Sequence, residues 1–243
     1  MTGLEKNVEK LFENKGKLLL AAMDHPQFSG AMKGLEKPLE KLSKLSLSEV
    51  DGFILNPGII RHIEDKKVFL KKHIMRITLG GSAFSDFSSC HYSVVTPQTI
   101  INSGADAAIM MFILGGHDVD SMKEVSRTID QLHQFSIPVI VEVLASDFTK
   151  TNDYEYVKNG ARIAAEMGAD VLKVFYCDHF EDVVYSCPVP VMLAGGPKDA
   201  GSLHWAKKAI EAGAKGFAFG RNIIQNEEPL KFISELNKLL GRD

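Results

Sequence analysis

Eight short apolar runs, separated by stretches with helical periodicity, predict an α/β chain folded as a (β/α)8 TIM barrel, one domain across residues 1–243. Three observations carry that expectation. The runs lie near Leu18–Met23, Gly52–Leu55, Ile74–Leu79, Ala107–Phe112, Pro138–Val143, Val171–Phe175, Pro190–Ala194 and Gly216–Phe219. Each is apolar almost throughout, as strands buried on both faces of a parallel sheet are. Right-handed crossovers repeated eight times can close such a sheet on itself. Finally, "EMGADVLKV" and "EAGAKGFAF" read as the same helix-to-strand joint, with Gly168 and Gly213 suited to the left-handed end of a helix.

The helices follow from apolar spacing. Asp120–Phe135 places Met122, Val125, Ile129 and Leu132 on one face. Tyr154–Met167 turns Tyr156 or Val157, Ala161, Ala164 and Ala165 inward, and Ser202–Ala212 and Glu228–Leu240 complete the chain. No linker-like or low-complexity tract divides it.

Composition narrows the class. A net charge of -3 leaves no basic surplus to attract nucleic acid or an anionic membrane. The stretch Met1–Lys17 is polar and reads as no signal peptide, and no apolar run is long enough to cross a bilayer. Cys90, Cys177 and Cys187 form no CxxC pair, which suits reduced thiols in a cytoplasm. The eight histidines show no metal-ligand spacing, so no metal is expected.

The chemistry centres on Lys173, a lone lysine inside the sixth apolar run. A buried ammonium is costly unless it is paired or deprotonated, and a neutral amine attacks carbonyl carbon. The plainer reading is a strand-end lysine that snorkels to solvent. In a barrel the active site lies where the strands end. Those ends supply Asp24 and His25, Asn56-Pro57-Gly58, Gly80-Gly81-Ser82, Gly115-Gly116, Glu142 with Asp147, Lys173 with Tyr176, Gly195-Gly196-Pro197-Lys198, and Gly220-Arg221-Asn222. The last two suit a phosphate. Glycine lets backbone N–H groups approach an anion, Arg221 can bind it bidentately, and Asn222–Asn226 reads as the short extra helix of such sites. Asp24 can move a proton or hold an iminium, or it can simply initiate the turn before His25-Pro26.

With these residues in view, the chain from about Leu18 to Pro229 resembles the class I aldolases of the archaeal-type fructose-bisphosphate aldolase group, a family that also holds the autoinducer-2 phosphate thiolase. "AAMDHPQFSG" with "GLE" at Gly34–Glu36 resembles the strand 1 signature, above all in the thiolase branch, and "NPGIIR" the strand 2 end. "ARIAAEMGADVLKVFY" resembles the segment bearing the imine-forming lysine, while "CPVPVMLAGGPK" and "GFAFGRNIIQNEEP" are similar to the phosphate-binding ends.

The resemblance implies a metal-independent Schiff-base mechanism without cofactor, on Lys173 with Asp24 as acid/base. It implies that Gly195, Gly196, Gly220 and Arg221 bind the phosphate of a ketose-like substrate, and that the protein assembles as a decamer of paired pentamer rings. Two departures stand out. The family's strand 5 aromatic and proton-donor tyrosine are here Glu142 and Leu144, and "PQFSG" replaces an "EHGP"-type continuation after the aspartate. Glu142, His25 or Tyr176 is then expected to move the remaining proton. Three functions fit: a class I aldolase or lyase acting on a phosphorylated ketose, a coenzyme A-dependent thiolase of a phosphorylated dione, and a non-catalytic barrel that binds a phosphosugar.

Overall fold

The computed structural model describes residues 1–85, 90–196 and 201–242. Pro197 and Lys198, expected at a phosphate-binding end, lie outside the described residues. Eight parallel strands close into a barrel: β1 (Leu18–Ala22), β2 (Gly52–Leu55), β3 (Lys72–Arg76), β4 (Ala107–Leu114), β5 (Val139–Ala145), β6 (Val171–Val174), β7 (Val191–Ala194) and β8 (Gly216–Phe219). Each pairs with its sequence neighbours, and β1 closes the ring on β8 with Leu18 opposite Gly216 and Leu20 opposite Ala218.

Strand periodicity sorts the apolar residues into two cores. Leu18, Leu20, Ile54, Ile74, Ile109, Ile140, Val171, Met192 and Ala218 fill the barrel. The alternate residues, among them Leu19, Phe53, Met75, Val141, Leu172, Leu193 and Phe217, pack against the helices. Val125, Ile129 and Leu132 of the helix Val119–His133, and Val157, Ala161 and Ala164 of the helix Tyr154–Glu166, are the buried face that the spacing predicts.

One element is not announced by the sequence, and one differs from expectation. Met1–Lys17 is polar, yet Gly3–Leu11 is a helix with a capping box between Thr2 and Glu5, and its Leu11 joins the inner core. The third run does not continue as one strand to Leu79. Pairing with β4 reaches Arg76, after which Thr78–Leu79 pairs antiparallel with Tyr92–Ser93 as a hairpin. The hairpin is anchored by Glu124, which accepts from Ser93 N at 2.8 Å, and by Thr78, whose hydroxyl accepts from Met111 N of β4 at 3.3 Å. An unbroken apolar run does not reveal where a strand changes partner.

At the base, Gly216 (φ +151°) brings β8 so close to β1 that an added Cβ would lie 1.9 Å from the Leu18 carbonyl oxygen. Gly216→Ala should therefore cost ~3 kcal/mol in urea unfolding, through backbone strain and overpacking together. Gly16→Ala, at φ +67° with open space around it, should cost only about 1 kcal/mol.

Candidate active site

Four strands change from apolar to charged at the same depth in the barrel. On β1 the inward series Leu18, Leu20, Ala22 leads to Asp24, on β3 Ile74 leads to Arg76, on β5 Ile140 leads to Glu142, and on β6 Val171 leads to Lys173. Asp24, Arg76, Glu142 and Lys173 are only 7, 2, 6 and 5% exposed. Register puts Glu142 directly opposite Lys173. Lys173 is thus an inward-facing lumen residue, and the snorkelling alternative does not apply.

The four side chains form a chain of alternating charge. Lys173 Nζ donates to Glu142 Oε1 at 2.5 Å, Arg76 Nη2 donates to Glu142 Oε2, and Arg76 Nε donates to Asp24 Oδ2 at 2.7 Å. Burial alone would favour protonated carboxyls, but the neighbouring cations win. For Asp24, burial is opposed by the Arg76, His25 and Lys173 charges and the hydrogen bond from Arg76, which together bring the pKa down to about 2. For Glu142, burial is likewise overcome by Lys173 and then Arg76, and the pKa falls below the usual carboxylate value. Asn56, in the "NPG" end of β2, fixes the backbone at this point by donating to the Asp24 carbonyl at 2.8 Å. The Asp24 carboxylate is therefore spent on Arg76 rather than on starting a turn.

His25 connects this cluster to the end of β8, the strand paired with β1. Its Nδ1 lies 3.8 Å from Asp24 Oδ1. Its ring covers Gly220, where an added Cβ would sit 2.3 Å from Cε1. Burial lowers the His25 pKa, with Asp24 acting against that shift. The glycine at the end of β8 therefore makes room for an imidazole. At the end of β7, Gly195 backs onto the Phe219 ring, and Gly196 adopts φ +63°. Asn222 ties the two ends together by donating to the Gly195 carbonyl at 2.6 Å. Arg221 opens the short helix Arg221–Ile224, and its Nε is buried without a hydrogen-bond partner among the described residues. Gly195, Gly196, Gly220 and Arg221 thus come together at the ends of β7 and β8, beside β1, leaving a cationic donor unused. The "GLE" turn packs against the same helix, with Gly34 pressed on the Ile224 carbonyl.

Tyr176 does not join the lumen. It is stacked on Phe180 at 5.3 Å and tilted against Trp205 at 4.9 Å, where it lines a 290 Å³ cleft with Asn152, Gly195, Gly196 and Ser202 at the β7 end. The strand ends at Val174, and beyond it Phe175 and Tyr176 both line this cleft. Asp147 is also outside, capping the turn Phe148–Lys150. Leu144 takes the inward position beyond Glu142 on β5.

Two side chains near the cluster escaped the sequence reading. Arg76 carried the same signal as Lys173, a lone cation in an apolar run, but that run was read through to Gly80-Gly81-Ser82. His91 arrives on the hairpin with its ring packed on Gly80. Burial and the Arg76 charge hold it neutral, with a pKa of about 4. No local pattern announces it, because the hairpin pairs residues far apart in sequence. Among the described residues no group of three or more His, Cys, Asp or Glu side chains is placed to hold a metal ion.

The geometry has counterparts. The model of the DeoC/LacD family aldolases matches residues 18–226. An uncharacterized aldolase of Saccharolobus solfataricus is 32% identical over 99% of this chain and 95% of its own. A 3-hydroxy-5-phosphonooxypentane-2,4-dione thiolase of Salmonella typhimurium is 29% identical over 98% of this chain and 82% of its own. Among solved structures, a Schiff-base-forming fructose-1,6-bisphosphate aldolase superposes with a TM-score of 0.87 at 26% identity, covering 97% of this chain and 99% of that one. An archaeal fructose-1,6-bisphosphate aldolase, with its catalytic lysine covalently bound to the carbinolamine intermediate, gives 0.85 at 25% identity, covering 97% and 98%. With a lysine buried at the mouth of an eight-stranded barrel and a family match across most of its length, this chain belongs to the DeoC/LacD family of aldolases and is an enzyme of the class I aldolase type.

Proposed function

We propose that the protein is a Schiff-base aldolase that cleaves or forms a carbon–carbon bond in a phosphorylated ketose, with Lys173 as the imine-forming residue. The observation that carries this reading is the 2.5 Å hydrogen bond from Lys173 to Glu142 inside a buried cluster that faces a cationic, glycine-rich end.

Glu142 takes a proton from the Lys173 ammonium, and the free amine adds to the substrate ketone. The protonated Glu142 then gives that proton to the carbinolamine hydroxyl, which leaves as water and yields the iminium. The iminium draws in the electron pair of the adjacent carbon–carbon bond. Asp24 accepts the hydroxyl proton of the departing aldehyde, and the enamine is reprotonated and hydrolysed. Gly195, Gly196 and Gly220 with Arg221 hold the phosphate so that the carbonyl meets Nζ, and such positioning is worth several kcal/mol. Glu142 does the work that a strand 5 tyrosine would otherwise do, with His25 available beside Asp24 as a relay. The three free thiols suit a reducing cytoplasm. Among the described residues, no helix is long and apolar enough to cross a membrane. Exposed Phe28, Leu79, Phe84 and Tyr92 around the hairpin suit a homo-oligomer.

A second reading is favoured by Leu144 at the expected tyrosine position and by the thiolase relative. Here the imine forms on a phosphorylated dione, and coenzyme A accepts the acyl group.

Borohydride with dihydroxyacetone phosphate should add one covalent adduct to the intact mass of the wild type and none to Lys173→Met. An equal adduct on both proteins would remove Lys173 from the mechanism. Glu142→Gln should slow adduct formation by about 10²–10⁴, and an unchanged rate would make Glu142 structural only. Release of acetyl-coenzyme A from 3-hydroxy-5-phosphonooxypentane-2,4-dione, strictly dependent on coenzyme A, would select the second reading.

The ion cluster also sets a pH signature. The folded pKa of Asp24 is lowered, so its stabilisation is present above the ordinary value of 3.8 and is lost as pH falls toward about 2. The stability advantage of the wild type over Asp24→Asn should narrow by about 1 kcal/mol between pH 6 and pH 3 in urea unfolding. A constant gap would mean that Asp24 is not held ionised by its partners.

A further inference from the structure

Arg76 has a bond left to make. Nε is committed to Asp24 and Nη2 to Glu142, while Nη1 is buried and has no hydrogen-bond partner among the described residues. A buried donor of a charged group left unsatisfied keeps the full cost of its lost hydration. Such a group in a native chain asks for a reason. The two carboxylates fix the guanidinium plane, so Nη1 is held in place without turning away to solvent. Glu142 spans Arg76 and Lys173 with its two oxygens, which places the guanidinium one carboxylate away from the imine nitrogen. An oxygen on the β-carbon of an imine-bound substrate lies at the end of an N–C–C–C–O path from that nitrogen.

We propose that Arg76 touches the substrate, with Nη1 donating to the oxygen on the β-carbon of a phosphorylated β-oxygenated ketone. The inference rests on the reading of Lys173 as the imine-forming residue and names the substrate class that this site selects. In cleavage the β-hydroxyl proton passes to Asp24, and the O–H electron pair closes the carbonyl of the leaving aldehyde. The α–β bonding pair moves into the iminium to give the enamine. Charge gathers on the β-oxygen between proton loss and bond cleavage, and Nη1 meets it there in a low-dielectric pocket, as preorganised donors do. A β-carbonyl carries its oxygen on the same carbon and takes the same bond. Dihydroxyacetone phosphate has no β-oxygen, so it can form the imine but leaves Nη1 unpaired.

The test compares two reactions in one variant. Arg76→Lys keeps a cation beside both carboxylates but has no Nη1. Cleavage is measured on whichever of fructose 1,6-bisphosphate or 3-hydroxy-5-phosphonooxypentane-2,4-dione the wild type consumes. Its rate is divided by the rate of borohydride-trappable adduct formation with dihydroxyacetone phosphate. That ratio should fall by about 10²–10³ in the variant. A ratio within about threefold of wild type would overturn the proposal, as would a wild type that forms the adduct yet cleaves neither compound. A wild type that forms no adduct with any of the three would instead overturn the Lys173 reading, and this inference with it. If Arg76→Lys does not fold, the wild-type adduct with the β-oxygenated substrate, reduced and crystallised, decides. An Nη1-to-oxygen distance within about 3.2 Å supports the proposal, and one beyond about 4 Å overturns it.

Discussion

Four charges buried in one layer of the barrel are the constraint on which the rest depends. No member is tolerable alone, because an uncompensated ion in a protein interior costs several kcal/mol. Together Lys173, Glu142, Arg76 and Asp24 alternate in sign and share three direct hydrogen bonds. Glu142 is both the partner that makes a buried lysine affordable and a base within reach of its proton. Arg76 at Asp24, and Lys173 with Arg76 at Glu142, keep both carboxylates ionised in an environment that would otherwise protonate them.

The barrel supplies what such a cluster needs. Strand alternation aims the four residues at one point, and the apolar lumen beneath them, closed by Leu11, keeps their surroundings dry. The mouth is asymmetric. β1, β3, β5 and β6 carry the charges, while β7 and β8 end in small residues joined through Asn222. His25 bridges the two halves by lying between Asp24 and Gly220. A ligand with a carbonyl at one end and a phosphate at the other matches that layout.

Much of this was legible in the sequence because it is local. Eight apolar runs gave eight barrel strands, and the ends of β1, β5, β6, β7 and β8 yielded Asp24, Glu142, Lys173, Gly195, Gly196, Gly220 and Arg221. What escaped depends on pairing at a distance. Arg76 was hidden because the third run looked like one strand through Leu79, and only the hairpin pairing of Thr78–Leu79 ends the barrel strand sooner. His91 is delivered by that same hairpin. Tyr176 follows Lys173 closely in sequence, but it lies past the end of β6, where it stacks on Phe180 and Trp205 and does not reach the cluster.

A double-mutant cycle across Arg76 and Glu142, read by urea unfolding of Arg76→Met, Glu142→Gln and the combined variant, tests the interdependence of the cluster most directly. Removing Arg76 takes a cationic partner from two buried carboxylates, whereas removing it from a chain that already carries glutamine at position 142 takes one from Asp24 alone. A coupling energy of about 1–3 kcal/mol between the two substitutions is the predicted result. Additivity to within about 0.5 kcal/mol would contradict the account, because the four charges would then not be holding one another in place.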